Sequence, residues 1–193
     1  MKIKIKIITF ALVIVCIFSG LVNAQASKNF GILVGWNSSD ISANNTTRFT
    51  QPKPGLSIYA FAEVSNSNFV SIFTEAGYVQ KGFRFGYPEN GKYEISYIET
   101  SVVFKFKKEW SKASIYIMTG PSISVNINEN GMSLYSYIRA EKVSLGIKSG
   151  IGSELKFLSG IPLLAEVRFN NDFTNSINHS RNSTLEFLAG VRF

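Results

Sequence analysis

His179 is the only histidine of the 193-residue chain, and Cys16 is the only cysteine. A Ser-His-acid hydrolytic site needs an imidazole as its base. The one imidazole stands in the polar stretch Asn178-His179-Ser180-Arg181, with Asp172 nearby. A lone histidine among Asn and Ser reads as a solvated loop residue, so no catalytic residue is assigned. One His and one Cys leave no ligand set for a transition metal and no disulfide. Gly150-Ile151-Gly152 has no helix behind it and is not a phosphate-binding loop. The expectation is a protein that is not an enzyme and takes no cofactor.

The plentiful chemistry is ionic. Glu63, Glu75, Glu99, Glu154, Glu166 and Glu186 fall inside alternating apolar segments, and so do Lys81, Lys105, Lys148, Lys156, Arg168 and Arg192. Paired carboxylates serve glycosidases. Acids matched one for one by bases read instead as ion pairs in a closed space, because a buried charge must be neutralised by a partner.

What encloses that space is legible in the composition. Charged residues make up 17%, and there are 16 Phe, 8 Tyr and 15 Gly. About 25% charged is usual for a soluble domain. Aromatic and turn-forming residues favour strands joined by turns. No heptad is sustained. Lys2, Lys4 and Lys6 precede the apolar run Ile7–Phe18, which is shorter than the roughly 20 residues of a membrane helix. Ser19-Gly20 and Val22-Asn23-Ala24 follow. This is the pattern of a secretory signal peptide over residues 1–24, cut after Ala24 or after Ala26, leaving residues 25–193 as one domain. Cys16 leaves with it. Losing three lysines lowers the formal charge from +7 to +4, with 17 bases facing 13 acids. An exported chain with no basic block among stacking aromatics is not expected to bind nucleic acid.

Period-two alternation recurs through the mature chain. It is clearest over Val143–Phe157, where Val143, Leu145, Ile147, Ile151 and Leu155 share one face. The other face carries Gly146, Lys148, Gly150, Gly152 and Glu154. Eight such strands are predicted: Asn29–Asn37, Gly55–Val64, Phe69–Lys81, Glu94–Phe106, Ala113–Ile127, Val143–Phe157, Pro162–Phe169 and a last one ending at Phe193. Long links (Ser38–Lys53, Gly82–Tyr93, Asn128–Glu141, Asn170–Asn182) alternate with short ones (Ser65–Asn68, Lys107–Lys112, Leu158–Gly160). In an up-and-down meander every second link lies at the same end. Outer-membrane barrels have short periplasmic turns, longer external loops, and eight strands at the smallest.

Alternation alone does not say which face looks out. A lipocalin-like barrel puts its apolar face inside, whereas a membrane barrel puts it outside. The balanced charges, the small residues of the polar face, and aromatics near strand ends favour the membrane form. Trp36, Tyr78, Phe83, Phe85, Phe106 and Trp110 are candidates for the two interfacial girdles. The predicted fold is an all-β, eight-stranded antiparallel up-and-down transmembrane barrel of the outer-membrane type. Its lumen network comprises Glu63, Glu75, Glu99, Lys105, Lys148, Glu154, Glu166, Arg168, Glu186 and Arg192.

Several stretches stand in order along the chain. Lys53-Pro54-Gly55 precedes Phe61-Ala62-Glu63-Val64. Glu75-Ala76-Gly77-Tyr78-Val79-Gln80-Lys81-Gly82 follows. Tyr97-Ile98-Glu99 leads to Val102, Val103 and Lys105, with Ser101 where a Pro is usual. Gly120-Pro121, Glu166-Val167-Arg168-Phe169 and the closing Gly190-Val191-Arg192-Phe193 complete the set. Together they resemble the PorT-like small outer-membrane β-barrel proteins of Bacteroidetes. The resemblance implies an outer-membrane location and little chemistry. It also implies that the barrel-assembly machinery reads Phe193 as its signal. One branch of that family takes part in protein secretion, and these residues do not place the chain there.

The functional expectation is a structural or binding role, with long external loops meeting an unknown ligand or protein. The chain should be a monomer surrounded by outer-membrane lipid. A narrow porin-like channel and a soluble, exported lipocalin-like carrier remain as alternatives.

Overall fold

The computed structural model describes residues 29–42, 50–85, 91–131, 140–156, 161–174 and 181–193. The expected signal peptide (1–24), His179 and the short link Leu158–Gly160 lie outside them. The eight strands are β1 (Phe30–Ser42), β2 (Thr50–Asn66), β3 (Val70–Phe85), β4 (Lys92–Glu109), β5 (Ala113–Gly131), β6 (Val143–Lys156), β7 (Pro162–Asp172) and β8 (Arg181–Arg192). Each pairs antiparallel with its neighbour in sequence, and β1 pairs with β8 to close the barrel.

Most strands run past their predicted ends. β5 has 19 residues and β7, the shortest, has 11. The extensions are polar: Ser38–Ser42, Thr50–Lys53, Asn128–Gly131 and Asn170–Asp172 were expected in loops and are ladder residues. Backbone pairing continues as long as a neighbour offers its N–H and C=O groups, whether or not the side chains are apolar. About 9–11 tilted residues span a membrane, so every strand is long enough.

The apolar face looks outward. Ile117 is 60% exposed and Ile151 is 61%, and Val34, Ile98, Ile147, Val167 and Phe187 stand out beside them. The soluble, lipocalin-like reading needs the opposite orientation and is overturned. The inner face carries Glu, Lys, Arg, Ser and Asn, but it is not purely polar. Tyr59, Phe61, Phe73, Tyr116 and Leu188 form one buried cluster, and Phe83, Tyr93, Ile95 and Tyr97 form another. These large side chains sit against small ones. A Cβ at Gly152 would meet the Tyr116 ring 2.6 Å from its Cζ, so the bare glycine makes room for that ring.

The aromatic expectations divide. Trp36 faces out and stacks on Phe187 at 5.8 Å; Phe106 and Trp110 also lie on the exterior. Phe83 is a correction. It is 1% exposed inside the lumen, 5.6 Å from the Tyr93 ring. Period two puts it on the same face as Lys81, and that parity outweighs its position near a strand end. The side chain of Phe85 lies outside the described set.

The β2–β3 seam departs most from the ladder, with a smaller shift at Ser96–Tyr97 between β4 and β5. β2 and β3 lose register between Pro52 and Ser57. Pro52 and Pro54 have no N–H to give. Side chains fill the gap. The Ser39 hydroxyl of β1 accepts from Gly82 N–H (2.8 Å) and donates to Gly82 C=O (2.9 Å). The Leu56 N–H donates to Gln80 Oε1 at 3.3 Å. Gly82 has φ +148°, a conformation that favours glycine.

The outward face sets a test. Arg on the lipid face costs about 2–4 kcal/mol at the midplane and about 0–1 near an interface. Ile151→Arg, midway along β6, should therefore lower the yield of folded barrel in lipid vesicles. Ile127→Arg, near the long-loop end of β5, should fold close to normally. Equal folding of the two would place Ile151 away from lipid.

Candidate functional site

The candidate site is the barrel interior. Alternation delivers every second residue of each strand to it, so charges distant in sequence meet across the lumen. At the end with the short turns, Arg192 of β8 reaches Glu154 of β6 (2.5 Å) and Glu63 of β2 (3.7 Å).

Above that cluster a single chain of alternating charge begins. Lys105 of β4 binds Glu166 of β7 at 2.7 Å, and the Tyr116 hydroxyl donates to the same carboxylate oxygen at 2.6 Å. Glu166 also pairs with Arg168, two residues along β7. Arg168 turns its fork onto Glu75 of β3, with Nη1 at 2.7 Å and Nη2 at 2.8 Å from the two oxygens. Such bidentate pairing fixes direction as well as distance. Lys148 of β6 lies 3.3 Å from Glu75 and 3.0 Å from Glu99 of β4. Lys81 of β3 then holds Glu99 at 2.9 Å and Asp172 of β7 at 3.7 Å. The whole chain joins β3, β4, β6 and β7.

Aromatic faces carry part of the load. Lys148 Nζ sits 4.1 Å from the centre of the Tyr59 ring, and Lys105 Nζ sits 4.4 Å from that of Phe73. A ring face attracts a cation, most strongly where water is excluded. Lys81, Lys105, Lys148 and Arg168 are thus held by carboxylates from one side and by π electrons from another. At the long-loop end Lys53 pairs with Glu94 at 2.8 Å.

The ten residues predicted for the lumen do not form one network. Glu75, Glu99, Lys105, Lys148, Glu166 and Arg168 share the continuous chain. Glu63, Glu154 and Arg192 make the separate cluster at the short-turn end. Glu186 is buried but has no ion pair among the described residues; its Oε1 accepts from Ser57 (2.8 Å) and Tyr59 (2.9 Å). Lys156, counted with the inner bases, is exposed at the end of β6, where the barrel no longer encloses it. Asp172, expected in a loop, lies in β7 beside Lys81. Phe193 is exposed at the seam. Its N–H donates to the Phe30 carbonyl at 2.7 Å, and its ring lies 5.3 Å from that of Phe30.

Tyr59, Tyr116, Asp172 and the Lys53–Glu94 pair were missing from the sequence reading. Parity with Glu63 places Tyr59 inside; Tyr116 shares its parity with the small inner residues of β5. That signal was available. Asp172 and Lys53 were hidden because polar strand extensions look like loops. The cavity enclosed near the short-turn end, among Phe73, Lys105, Tyr116 and Arg192, measures about 20 Å³, room for about one water.

Removing one partner of a buried ion pair costs about 3–5 kcal/mol, because the other charge stays buried without it. Arg168→Ala should therefore lower unfolding stability by about that amount, and Arg84→Ala on the exposed exterior by far less. Adding Glu75→Gln to Arg168→Ala should recover part of the loss. Urea unfolding of the refolded barrel measures all three; equal midpoints for the two single variants would contradict the network.

Known proteins can be set beside this geometry. Solved structures share the fold, and two of them illustrate it. OprG of Pseudomonas aeruginosa is 12% identical, covering 88% of this chain and 97% of that one, with a TM-score of 0.55. Neisserial surface protein A is 15% identical, covering 84% and 95%, with a TM-score of 0.53. At such identities the likeness is one of fold alone. No curated protein sequence matches the chain. Residues 23–178 match the family described as the outer membrane protein beta-barrel domain. The chain belongs to that family, and it is a small outer-membrane β-barrel protein.

Proposed function

We propose that this barrel is a filled, non-conducting scaffold that acts through its long-loop end. The observation that carries this is the packed lumen. Ion pairs and aromatic rings occupy the interior from Arg192 at one mouth to Lys53 at the other, and the cavity near the short-turn end measures only about 20 Å³. Eight strands leave an interior just wide enough for side chains to fill. With the interior taken up by packing, the ends are left to meet other molecules.

Outer-membrane barrels keep short turns in the periplasm and longer loops outside. The links at 43–49, 86–91, 132–142 and 173–180 are then external, and both termini are periplasmic. The external segments are rich in Asn, Ser, Thr and Tyr; Asn44-Asn45-Thr46-Thr47 and Ser133-Leu134-Tyr135-Ser136-Tyr137 are examples. Tyr gives contact area at low entropic cost, and Ser and Asn give adaptable hydrogen bonds. A polar ligand or a protein surface fits that composition. The role is binding or structural, not enzymatic.

The finer assignments belong to the same proposal. The PorT-like branch of Bacteroidetes is supported by Lys53-Pro54-Gly55 and Gln80-Lys81-Gly82, which flank the interrupted β2–β3 seam and supply Lys53 and Lys81 to ion pairs. Residues 1–24 act as the export signal, and the barrel-assembly machinery reads Phe193. The barrel works as a monomer in outer-membrane lipid.

Two measurements test this reading. Reconstituted in a planar bilayer, the protein should show no steady conductance; regular channel openings would favour the narrow-channel alternative. An epitope inserted near Asn45 should be labelled on intact cells. One placed within Ser67–Phe69 should be labelled only after the outer membrane is opened. The reverse pattern would invert the protein.

A further inference from the structure

The pairing registers order side chains around the outside of the barrel as well as within it. One outward row crosses six strands. Lys108 of β4 stands opposite Ile115 of β5, and Ser153 of β6, Ala165 of β7, Ala189 of β8 and Val34 of β1 follow in turn. Its middle members, Ser153, Ala165 and Ala189, are small. On the same three strands the next row toward the long loops carries Ile151, Val167 and Phe187, and the next toward the short turns carries Leu155, Leu163 and Val191. Large residues on both sides of small ones leave a trench. It measures about 990 Å³, its lining is mostly apolar, and Lys108 stands at its edge.

The trench is not level. Lys108 adjoins the β4–β5 turn at the short-turn end, whereas Val34 lies inside β1. Strands of such barrels tilt by about 35–45°, so a row across them climbs from the rim into the apolar band. The chemistry changes along the climb. At the rim Lys108 and Lys112 are exposed, and the Trp110 ring lies 5.8 Å from the Lys108 ammonium. Two strands on, about 10 Å at the usual strand spacing, stands Ser153. Beyond Ser153 the floor is alanine, and Val167, Phe187, Leu163 and Val191 flank it.

Two cations, a hydroxyl and an apolar trench, in that order, match the phosphate, the ester and the acyl chain of a phospholipid. Lysines at a membrane surface attract anionic headgroups, and tryptophan settles at headgroup level. We propose that this trench holds one acyl chain of an anionic phospholipid from the leaflet at the short-turn end. The phosphate meets Lys108 and Lys112, an ester carbonyl accepts from the Ser153 hydroxyl, and the chain lies over Ala165 and Ala189. The outer face of β5–β8 is thereby a site for one class of lipid, where the rest of the apolar wall takes lipid without preference.

Brominated acyl chains quench tryptophan on contact, and one of the two tryptophans is well placed to report. Trp36 continues the row of Ile151, Val167 and Phe187, and Trp110→Phe leaves it alone while keeping a ring beside Lys108. The barrel with that substitution is refolded in phosphatidylcholine vesicles that hold a rising fraction of brominated phosphatidylglycerol or, in parallel, brominated phosphatidylcholine. The anionic lipid should quench Trp36 to a plateau at a low fraction, and the zwitterionic one only in proportion to its amount. Lys108→Gln should reduce the first curve to the second. Ala165→Phe fills the trench with a side chain that lipid tolerates, and should also abolish the plateau. Heat-shifted mobility on gels checks that each variant folds. Identical curves for the two lipids would overturn the proposal. So would a plateau that survives Ala165→Phe, since the rim alone would then draw the headgroup, or one that survives Lys108→Gln, since charge would then play no part.

Discussion

Lipid offers no hydrogen bonds, so a chain crossing it must satisfy every backbone N–H and C=O from within. Closure of β1 onto β8 meets that demand, and the rest of the molecule follows from it. A closed sheet has two faces and one of them must meet hydrocarbon. The apolar half of each alternating pair is thereby committed to the outside. The polar half is forced into a lumen too narrow for bulk water. Charges placed there have to solve their own desolvation by pairing.

The pairing chain from Lys105 to Asp172 is that solution. It links strands that are not adjacent in the barrel, so it resists slippage of one strand past another as well as collapse of the lumen. A one-residue slip would flip every side chain of a strand to the wrong face, turning Arg168 or Glu99 into lipid. Buried ion pairs are weak evidence for stability in themselves. Their value here is specificity, since the correct register is the one in which each inward charge finds its partner. Glycine and tyrosine supply the complementary fit, as where the Tyr116 ring covers Gly152.

Much of this was legible in the chain. Alternation gave eight strands in the right order, and outward Ile147 and Ile151 and inward Lys148 and Glu154 followed from it. Charge balance, more than periodicity, pointed to the membrane form over the soluble one. The partners of each charge were not legible, because contacts across the lumen depend on stagger between strands that sequence spacing does not reveal. Glu186 shows this: on parity it looks like any other inward acid, yet among the described residues it is held by the hydroxyls of Ser57 and Tyr59 and not by an ion pair. The strand ends were misread for a different reason. Polar residues above the apolar band still pair, so Asn170–Asp172 resembled a loop while forming ladder. Phe83 was misplaced because proximity to a strand end was weighed above its parity with Lys81.

The central claim is a closed barrel, apolar outside and charge-paired within, seated in the outer membrane. Electrophoresis of the protein from washed outer-membrane fractions, unheated and boiled in detergent, tests it most directly. A closed, tightly packed barrel stays folded in cold detergent, so the unheated sample should run faster than the boiled one. Recovery in the soluble periplasmic fraction, with one mobility whether heated or not, would contradict the account.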